Sequence, residues 1–320
     1  MKVVKGLHAL QKPLKSSVLT IGVFDGVHIG HRKVIGKVVA RAKKLGAKSV
    51  VVTFDPHPMK SLAPADNKTP SLISLDHRLK IVGSLGVDIL VVVNFTGAVS
   101  GLSPRAFVKS ILVDKLGVRE VYVSENFYFG KNAAAGVREL EALGREFGFS
   151  VRVVSPARAG GRIISSSLIR KLVTGGDLKK AALLLGRPVS VLGTVVSGAR
   201  LARELGYPTA NLNPHHVVIP PGGVYAVMVR YEGRLYRGVL NIGLRPTFYA
   251  PRDREPAIEV HIFDFRGKVY GKDLEVFFMG KLRDERRFSG KADLVVQIEK
   301  DKKAAQALLG RLHKRKIKYS

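Results

Sequence analysis

Residues 17–45 constrain the fold most, because an apolar strand there runs directly into a helix through a turn that carries two histidines and three glycines. Residues 17–24 (SVLTIGVF) predict a buried strand, and residues 32–45 carry apolar side chains at helical spacing. His28 and His31, in the string GVFDGVHIGH, therefore stand on a strand-to-helix turn. The first N–H groups of such a helix are unpaired and carry the positive end of its dipole, and Gly26 and Gly30 let a ligand approach the backbone closely. The two imidazoles add donors on the same side, so the turn is suited to a polyphosphate. Histidines at a helix start also act as simple caps, which is the plainer reading of the same residues.

The first half of the chain continues the alternation. Strands are expected over 49–54, 88–95, 119–124 and 150–154, with helices near 75–85, 104–116 and 137–147 between them. Nearly continuous apolar strands separated by helices predict a parallel sheet covered on both faces, with ligands at the carboxyl ends of the strands. Residues 165–185 read as helical and stop at Gly186-Arg187-Pro188, after which the pattern changes. Short alternating strands follow over 191–197, 223–231, 234–242, 257–263 and 273–279, with Glu232-Gly233 as a hairpin turn and a closing helix over 291–312. This second half predicts a small antiparallel barrel with one helix.

Composition narrows the chemistry. The 320 residues contain no Cys, which excludes disulfides, thiolate nucleophiles and Cys-ligated zinc. No apolar run is long enough to span a membrane and the start lacks a leader-like apolar region, so a soluble, cytoplasmic protein is expected. The 54 Lys and Arg against 25 Asp and Glu give a net charge of +29, which suits anionic partners. The basic residues are spread along the chain, with one cluster at Lys314, Arg315, Lys316 and Lys318, and aromatic residues are not interleaved with them. A specific nucleic-acid site is therefore not expected, and oligomerisation is left open.

Further motifs fall at the same predicted strand ends. FDPHP (54–58) brings Asp55 and His57 there, and prolines on both sides of His57 fix its backbone. ENFYFGK (125–131) brings Asn126 and two aromatic residues on which a planar ring could stack, although Phe127 and Phe129 would equally serve the core. ISSSLIR (164–170) offers Ser165 or Ser166 as a helix cap and Arg170 as a fixed positive charge. FDGVHIGH resembles the signature of the HxGH nucleotidyltransferases, and the four motifs in this order resemble the prokaryotic FAD synthetases. The resemblance implies a Rossmann-like HxGH nucleotidyltransferase domain over residues 1–186. It also implies that Gly22, Phe24, Asp25, Gly26, His28, Gly30, His31, Asn126, Ser165, Ser166 and Arg170 bind ATP, with His28 and His31 stabilising the reacting phosphates.

The second half carries PTAN (208–211), GVLNIGLRPTF (238–248) and AIEVHIFDF (257–265), which resemble the riboflavin kinases. In the last of these strands Ile258, Val260 and Ile262 form one face, leaving Glu259 and His261 on the other. The resemblance implies a riboflavin kinase domain over 187–320 in which Gly198, Arg203, Gly206, Pro208, Thr209, Asn211, Asn241 and Arg245 bind ATP and flavin. It further implies that Thr209 and Asn211 hold Mg²⁺ and that Glu259 is the general base for the ribityl 5′-hydroxyl. One departure stands in the loop before PTAN: the family has a His-Gly and a further Gly before the Arg, whereas this chain has Ser197-Gly198 and Ala202-Arg203. Taken whole, the chain resembles the bifunctional riboflavin kinase/FMN adenylyltransferases, with riboflavin, FMN, FAD and ATP as expected partners and Mg²⁺ as cofactor. An HxGH adenylyltransferase of another pathway would leave PTAN and Glu259 unused, and a basic nucleic-acid-binding protein would leave every strand-end motif unused.

Overall fold

The computed structural model describes residues 1–58, 69–197, 206–244, 256–286, 288–313 and 319. By packing, the chain divides into two compact units, one of Met1–Thr69 with Leu75–Ser166 and one of Pro70–Ser74 with Ser167–Ser320. The division falls between Ser166 and Ser167, ahead of the Gly186-Arg187-Pro188 stop.

The first unit is a six-stranded sheet in the order β1-β4-β3-β2-β5-β6, formed by Lys2–Lys5, Ile89–Asn94, Lys48–Asp55, Ser17–Ile21, Val118–Ser124 and Ser150–Val154. Every neighbouring pair is parallel. Covered faces explain the near-continuous apolar strands. Leu19, Val50, Val91 and Val121 pack into one buried cluster, while Val18 joins Val38 and Ala42 of α1 (Ile29–Leu45) in another. Helix α2 (Leu75–Gly83) and, after the short helix α3 (Pro104–Phe107), α4 (Val137–Phe147) complete the crossovers. Two details correct the sequence expectation. The first strand ends at Ile21 rather than at residue 24, because Phe24 takes a left-handed backbone (φ 52°) that no strand accommodates. The edge strand β1 was not anticipated, since four residues are too few to display a period.

The expected single helical stretch is two helices, α5 (Ser166–Thr174), which starts on the last residue of the first unit, and α6 (Leu178–Leu185), in the second unit. Gly175 and Gly176 break the chain between them, and Asp177 caps α6 by accepting from the Lys180 N–H. Two short strands ahead of α5, β7 (Arg158–Ala159) and β8 (Arg162–Ile163), pair antiparallel, and after α6 a closed antiparallel barrel follows in the order β10-β13-β12-β11-β14-β9. Its strands are β9 (Ser190–Val196), β10 (Ala210–Asn213), β11 (Gly223–Tyr231), β12 (Arg234–Leu244), β13 (Pro256–Ile262) and β14 (Asp273–Arg283). Glu232 and Gly233, both at positive φ (46° and 79°), make the tight β11–β12 hairpin. Leu240 and Ile242 of β12 and Ile258, Val260 and Ile262 of β13 are buried at alternate positions, which separates a packed face from a more accessible one there, whereas β11 and β14 are buried on both faces over much of their length. The closing helix α7 (Lys291–His313) packs Ala305 and Leu309 against Ala226 and Phe263.

Candidate active sites

At the end of β2 the backbone turns sharply through three positive-φ residues, Phe24 (52°), Gly26 (81°) and Val27 (40°). A β-branched residue in that region is strained, so the surroundings must hold the turn. They do so with Thr53 Oγ1 on the Val23 carbonyl (3.1 Å) and Ser166 Oγ on the Asp25 carbonyl (2.9 Å). The second of these contacts joins the FDG and SSS motifs, as their shared placement at strand ends requires. Asp25 is buried.

His28 is the N-cap of α1, and its Nδ1 accepts from the backbone N–H of His31 at 3.4 Å. The capping reading of this histidine therefore holds, and it has a chemical consequence: an accepting Nδ1 leaves the proton on Nε2, so the ring still carries a donor. The His28 and His31 rings stack with centroids 3.6 Å apart, and Phe24 meets His31 edge-on at 5.3 Å. A Cβ on Gly30 would lie 3.1 Å from His28 Cε1, so any larger residue there would press the His28 ring out of the stack by a few tenths of an ångström. The His31 imidazole is held well below its usual range, first by burial and then by the charges of His28 and Arg78. Two stacked imidazoles at a helix start would repel as cations, and neutral His31 avoids that repulsion.

Of the other first-unit residues, Asp55 ends β3 at the same sheet edge. Asn126 is exposed just beyond β5. Its neighbours divide: Phe129 joins the core against Phe107, Phe127 stacks on Phe129 at 5.6 Å, and Tyr128 remains 65% exposed. An open cleft of about 790 Å³ lies at the ends of β5 and β6, lined by Glu125, Gly136, Arg138, Glu139 and Val153 among others. Arg170 belongs to the second unit, where its Nε donates to the Pro70 carbonyl at 3.0 Å. Sequence reading missed Arg78, a buried guanidinium bonded to Thr53 and Phe54.

In the barrel, strand β10 begins within PTAN at Ala210, so Asn211 lies in the strand. Its register places it directly opposite Glu259 of β13, and Glu259 is in turn opposite Asn241 of β12. Residues opposite one another across antiparallel strands project from the same face, so the two amides flank the carboxylate in one row. Glu259, Asn241, Thr209 and Tyr207 line a cavity of about 370 Å³ whose remaining wall includes Phe288, Leu294 and Ile298. A second cavity of about 450 Å³ is lined by Gly206, Pro208, Phe265, Arg266, Lys268 and Tyr270, among others, and Thr209 lines it as well. The turn that carries Thr209 is held from both sides: the ring Nδ1 of His261 lies 2.8 Å from the Pro208 carbonyl, and Tyr207 Oη donates to Glu299 at 2.6 Å. Gly198, Arg203 and Arg245 lie outside the described residues.

Among the described residues no group of three His, Cys, Asp or Glu side chains could hold a metal unaided. Thr209 and Asn211 offer a hydroxyl and an amide carbonyl. Such a sparse oxygen set fits a hard cation that keeps most of its waters and binds chiefly through phosphates. Among the described residues no helix is long and apolar enough to cross a membrane.

Comparison with known proteins follows the same two-part order. The family model for FAD synthetase matches residues 10–168, and that for riboflavin kinase matches residues 185–309. A bifunctional riboflavin kinase/FMN adenylyltransferase of Pseudomonas fluorescens is 38% identical over 308 residues, covering 96% of this chain and 98% of the relative. Its namesake in Bacillus subtilis is 36% identical over 310 residues, covering 96% and 97%. The crystal structure of a macrolide-efflux protein from Streptococcus pneumoniae superposes with a TM-score of 0.82 at 28% identity, covering 96% of this chain and 99% of that one. With both halves matched in order and relatives aligned over nearly their whole length, the chain belongs to the bifunctional riboflavin kinase/FMN adenylyltransferases.

Proposed function

We propose that this chain carries out both steps of flavin cofactor assembly: residues 187–320 phosphorylate riboflavin with ATP, and residues 1–186 adenylylate the resulting FMN with a second ATP. The observation that carries the reading is the Asn211–Glu259–Asn241 row, whose Glu259 and Asn241 line a cavity walled in part by Phe288, Leu294 and Ile298, in a chain that also presents a stacked histidine pair at a helix start.

In the kinase reaction the nucleophile is a neutral alcohol, so a base is useful. Riboflavin occupies the cavity walled by Phe288, Leu294 and Ile298, with its 5′-hydroxyl toward Glu259. The Glu259 carboxylate takes the hydroxyl proton as the oxygen bonds to the γ-phosphorus of ATP and ADP departs. ATP occupies the neighbouring cavity, where Arg266 and Lys268 supply positive charge, and Thr209 on the shared wall brings the two substrates together. Thr209 and Asn211 would hold Mg²⁺, which neutralises the phosphate charge when bound.

In the adenylyl transfer the nucleophile is already an anion. An FMN phosphate oxygen bonds to the α-phosphorus of ATP, the bond to the bridging oxygen breaks, and pyrophosphate leaves. No proton has to be removed, so the residues are donors: His28 Nε2, His31 and the N–H groups opening α1 stabilise the charge that develops on the phosphates. The protein acts in the cytoplasm, where both nucleotides are at hand. Incubation with riboflavin, ATP and Mg²⁺, followed by chromatography of the flavins, tests the reading: FMN and then FAD are expected, and neither product would refute it.

A further inference from the structure

Arg78 is 3% exposed, yet both of its hydrogen bonds come from one nitrogen, Nη1, which donates to Thr53 Oγ1 at 3.0 Å and to the Phe54 carbonyl at 3.2 Å. Its Nε is buried with no hydrogen-bond partner. Leaving a buried guanidinium nitrogen unpaired is costly, so a residue that persists in this state is held for something other than stability. Its position indicates what. Thr53, the residue it grips, donates in turn to the carbonyl of Val23, one residue ahead of the left-handed Phe24 and the strained turn that ends in Val27.

We propose that Arg78 is a positioning residue for adenylyl transfer, a strut that fixes the Val23–Val27 turn through Thr53 and keeps a permanent positive charge in the surroundings of His31. This rests on the assignment of adenylyl transfer to that pair. A strained backbone persists only where its surroundings over-determine it, and the Arg78–Thr53–Val23 chain provides that restraint from β3 and α2. Burial opposes the guanidinium's charge, and the negative charges of Asp25 and Asp55 offset part of that cost. Arginine stays protonated under such conditions, so the positive charge is fixed. The groups acting on His31 are His28 stacked on it, Phe24 at its edge, and the charge of Arg78. Burial first, then the charge of His28 and that of Arg78, disfavour a protonated His31 before the polyphosphate arrives.

The test uses the full chain and compares Arg78→Met, Arg78→Lys, Thr53→Val and His31→Ala. Hydrogen exchange of the buried strands β2 to β5 in each variant reports folding of the unit that carries the substitutions. Arg78→Met is expected to lower kcat for FAD formation from FMN on the order of 10²-fold, the scale of an ångström-level misplacement, with the KM for FMN little changed. The His31 ring titration, followed by NMR, should move to higher pH because a positive neighbour has gone. Arg78→Lys keeps the charge and one donor, so it should restore part of the rate and leave the His31 titration near its original position. Thr53→Val should lower kcat without moving the titration. An Arg78→Met protein that makes FAD within two-fold of the wild-type rate, or whose His31 titration does not move, overturns the proposal. If Arg78→Met does not fold, a Thr53→Val protein with wild-type kcat overturns it instead. Should His31→Ala keep full FAD formation, the assignment of the turn itself fails, an outcome distinct from the failure of Arg78 alone.

Discussion

In the proposed reading the His28–His31 turn and the Glu259 row both serve attack by oxygen on a phosphorus of ATP, but their chemical make-up is opposite. The turn collects donors and positive charge: a capping histidine with its proton on Nε2, a second imidazole, a helix start and a buried arginine. The barrel places a carboxylate between two asparagines. The difference follows the nucleophile. A phosphate monoester brings its own negative charge and needs only stabilisation of what develops on the phosphates, whereas a primary alcohol must lose a proton. The scaffolds differ accordingly. A parallel sheet presents helix starts and strand ends along one edge, and a closed barrel presents a row of side chains across neighbouring strands.

Breaking the barrel side should give the largest effect. Glu259→Gln keeps size and hydrogen bonding but removes the basic carboxylate, so riboflavin phosphorylation should fall roughly 10²–10⁴-fold, the usual contribution of a positioned general base. FAD formation from added FMN should continue near the wild-type rate. A kinase within a few-fold of wild type would make Glu259 an ordinary residue of the cavity wall. Next in size is the turn. His31→Ala should lower FAD formation from FMN by about 10²–10³-fold, as for loss of one preorganised charge-stabilising group, and leave riboflavin phosphorylation intact. Equal loss of both activities in a folded protein would erase the division of labour.

A smaller effect separates the site from its scaffold. Glu120 of β5 accepts Arg41 at 2.6 Å, and the hydrogen bonds from Arg41, followed by its charge, hold the carboxyl below its usual range. A depressed carboxylate stabilises the fold above its unfolded-state value and loses that contribution as pH falls through its folded-state value. Glu120→Gln should therefore speed hydrogen exchange in β5 at neutral pH, with the difference from wild type closing as the solution is acidified below the ordinary glutamate range. A difference that grows on acidification would reverse the sign of the argument. The smallest effect concerns the net charge of +29. Weak, sequence-independent binding to DNA at low salt should fade as salt rises, through counterion release. Tight binding to one defined sequence at physiological salt would demand a nucleic-acid role.

Much of both sites was legible in the sequence, for different reasons. The His28–His31 turn could be read because strand, glycines and helix are contiguous, so local pattern fixes their arrangement. Glu259 could be assigned to a face because Ile258, Val260 and Ile262 alternate with it. The row it forms with Asn211 and Asn241 could not be read, since it depends on which strands pair and in which register, and that is decided by closure of the whole barrel. Arg78 was missed although a signal existed: it lies on the stripe of α2 that also carries the buried Ile81 and Val82. A charge on an apolar stripe is a buried charge, and a buried charge needs a reason. The aromatic pair of ENFYFGK was ambiguous because two residues of like type sit two apart, and only the packing of Phe129 against Phe107 separates core from edge.

The most direct test of two chemically independent sites is complementation. His31→Ala and Glu259→Gln proteins are each incubated with riboflavin, ATP and Mg²⁺, then mixed in equal amounts, and the flavins are separated. Alone, the first should accumulate FMN and the second should leave riboflavin unchanged. Together they should make FAD, with FMN released by one protein and adenylylated by the other. A mixture that makes no FAD, although each protein keeps the activity its intact site supplies, would contradict the account by showing that FMN does not pass from one site to the other as a free intermediate.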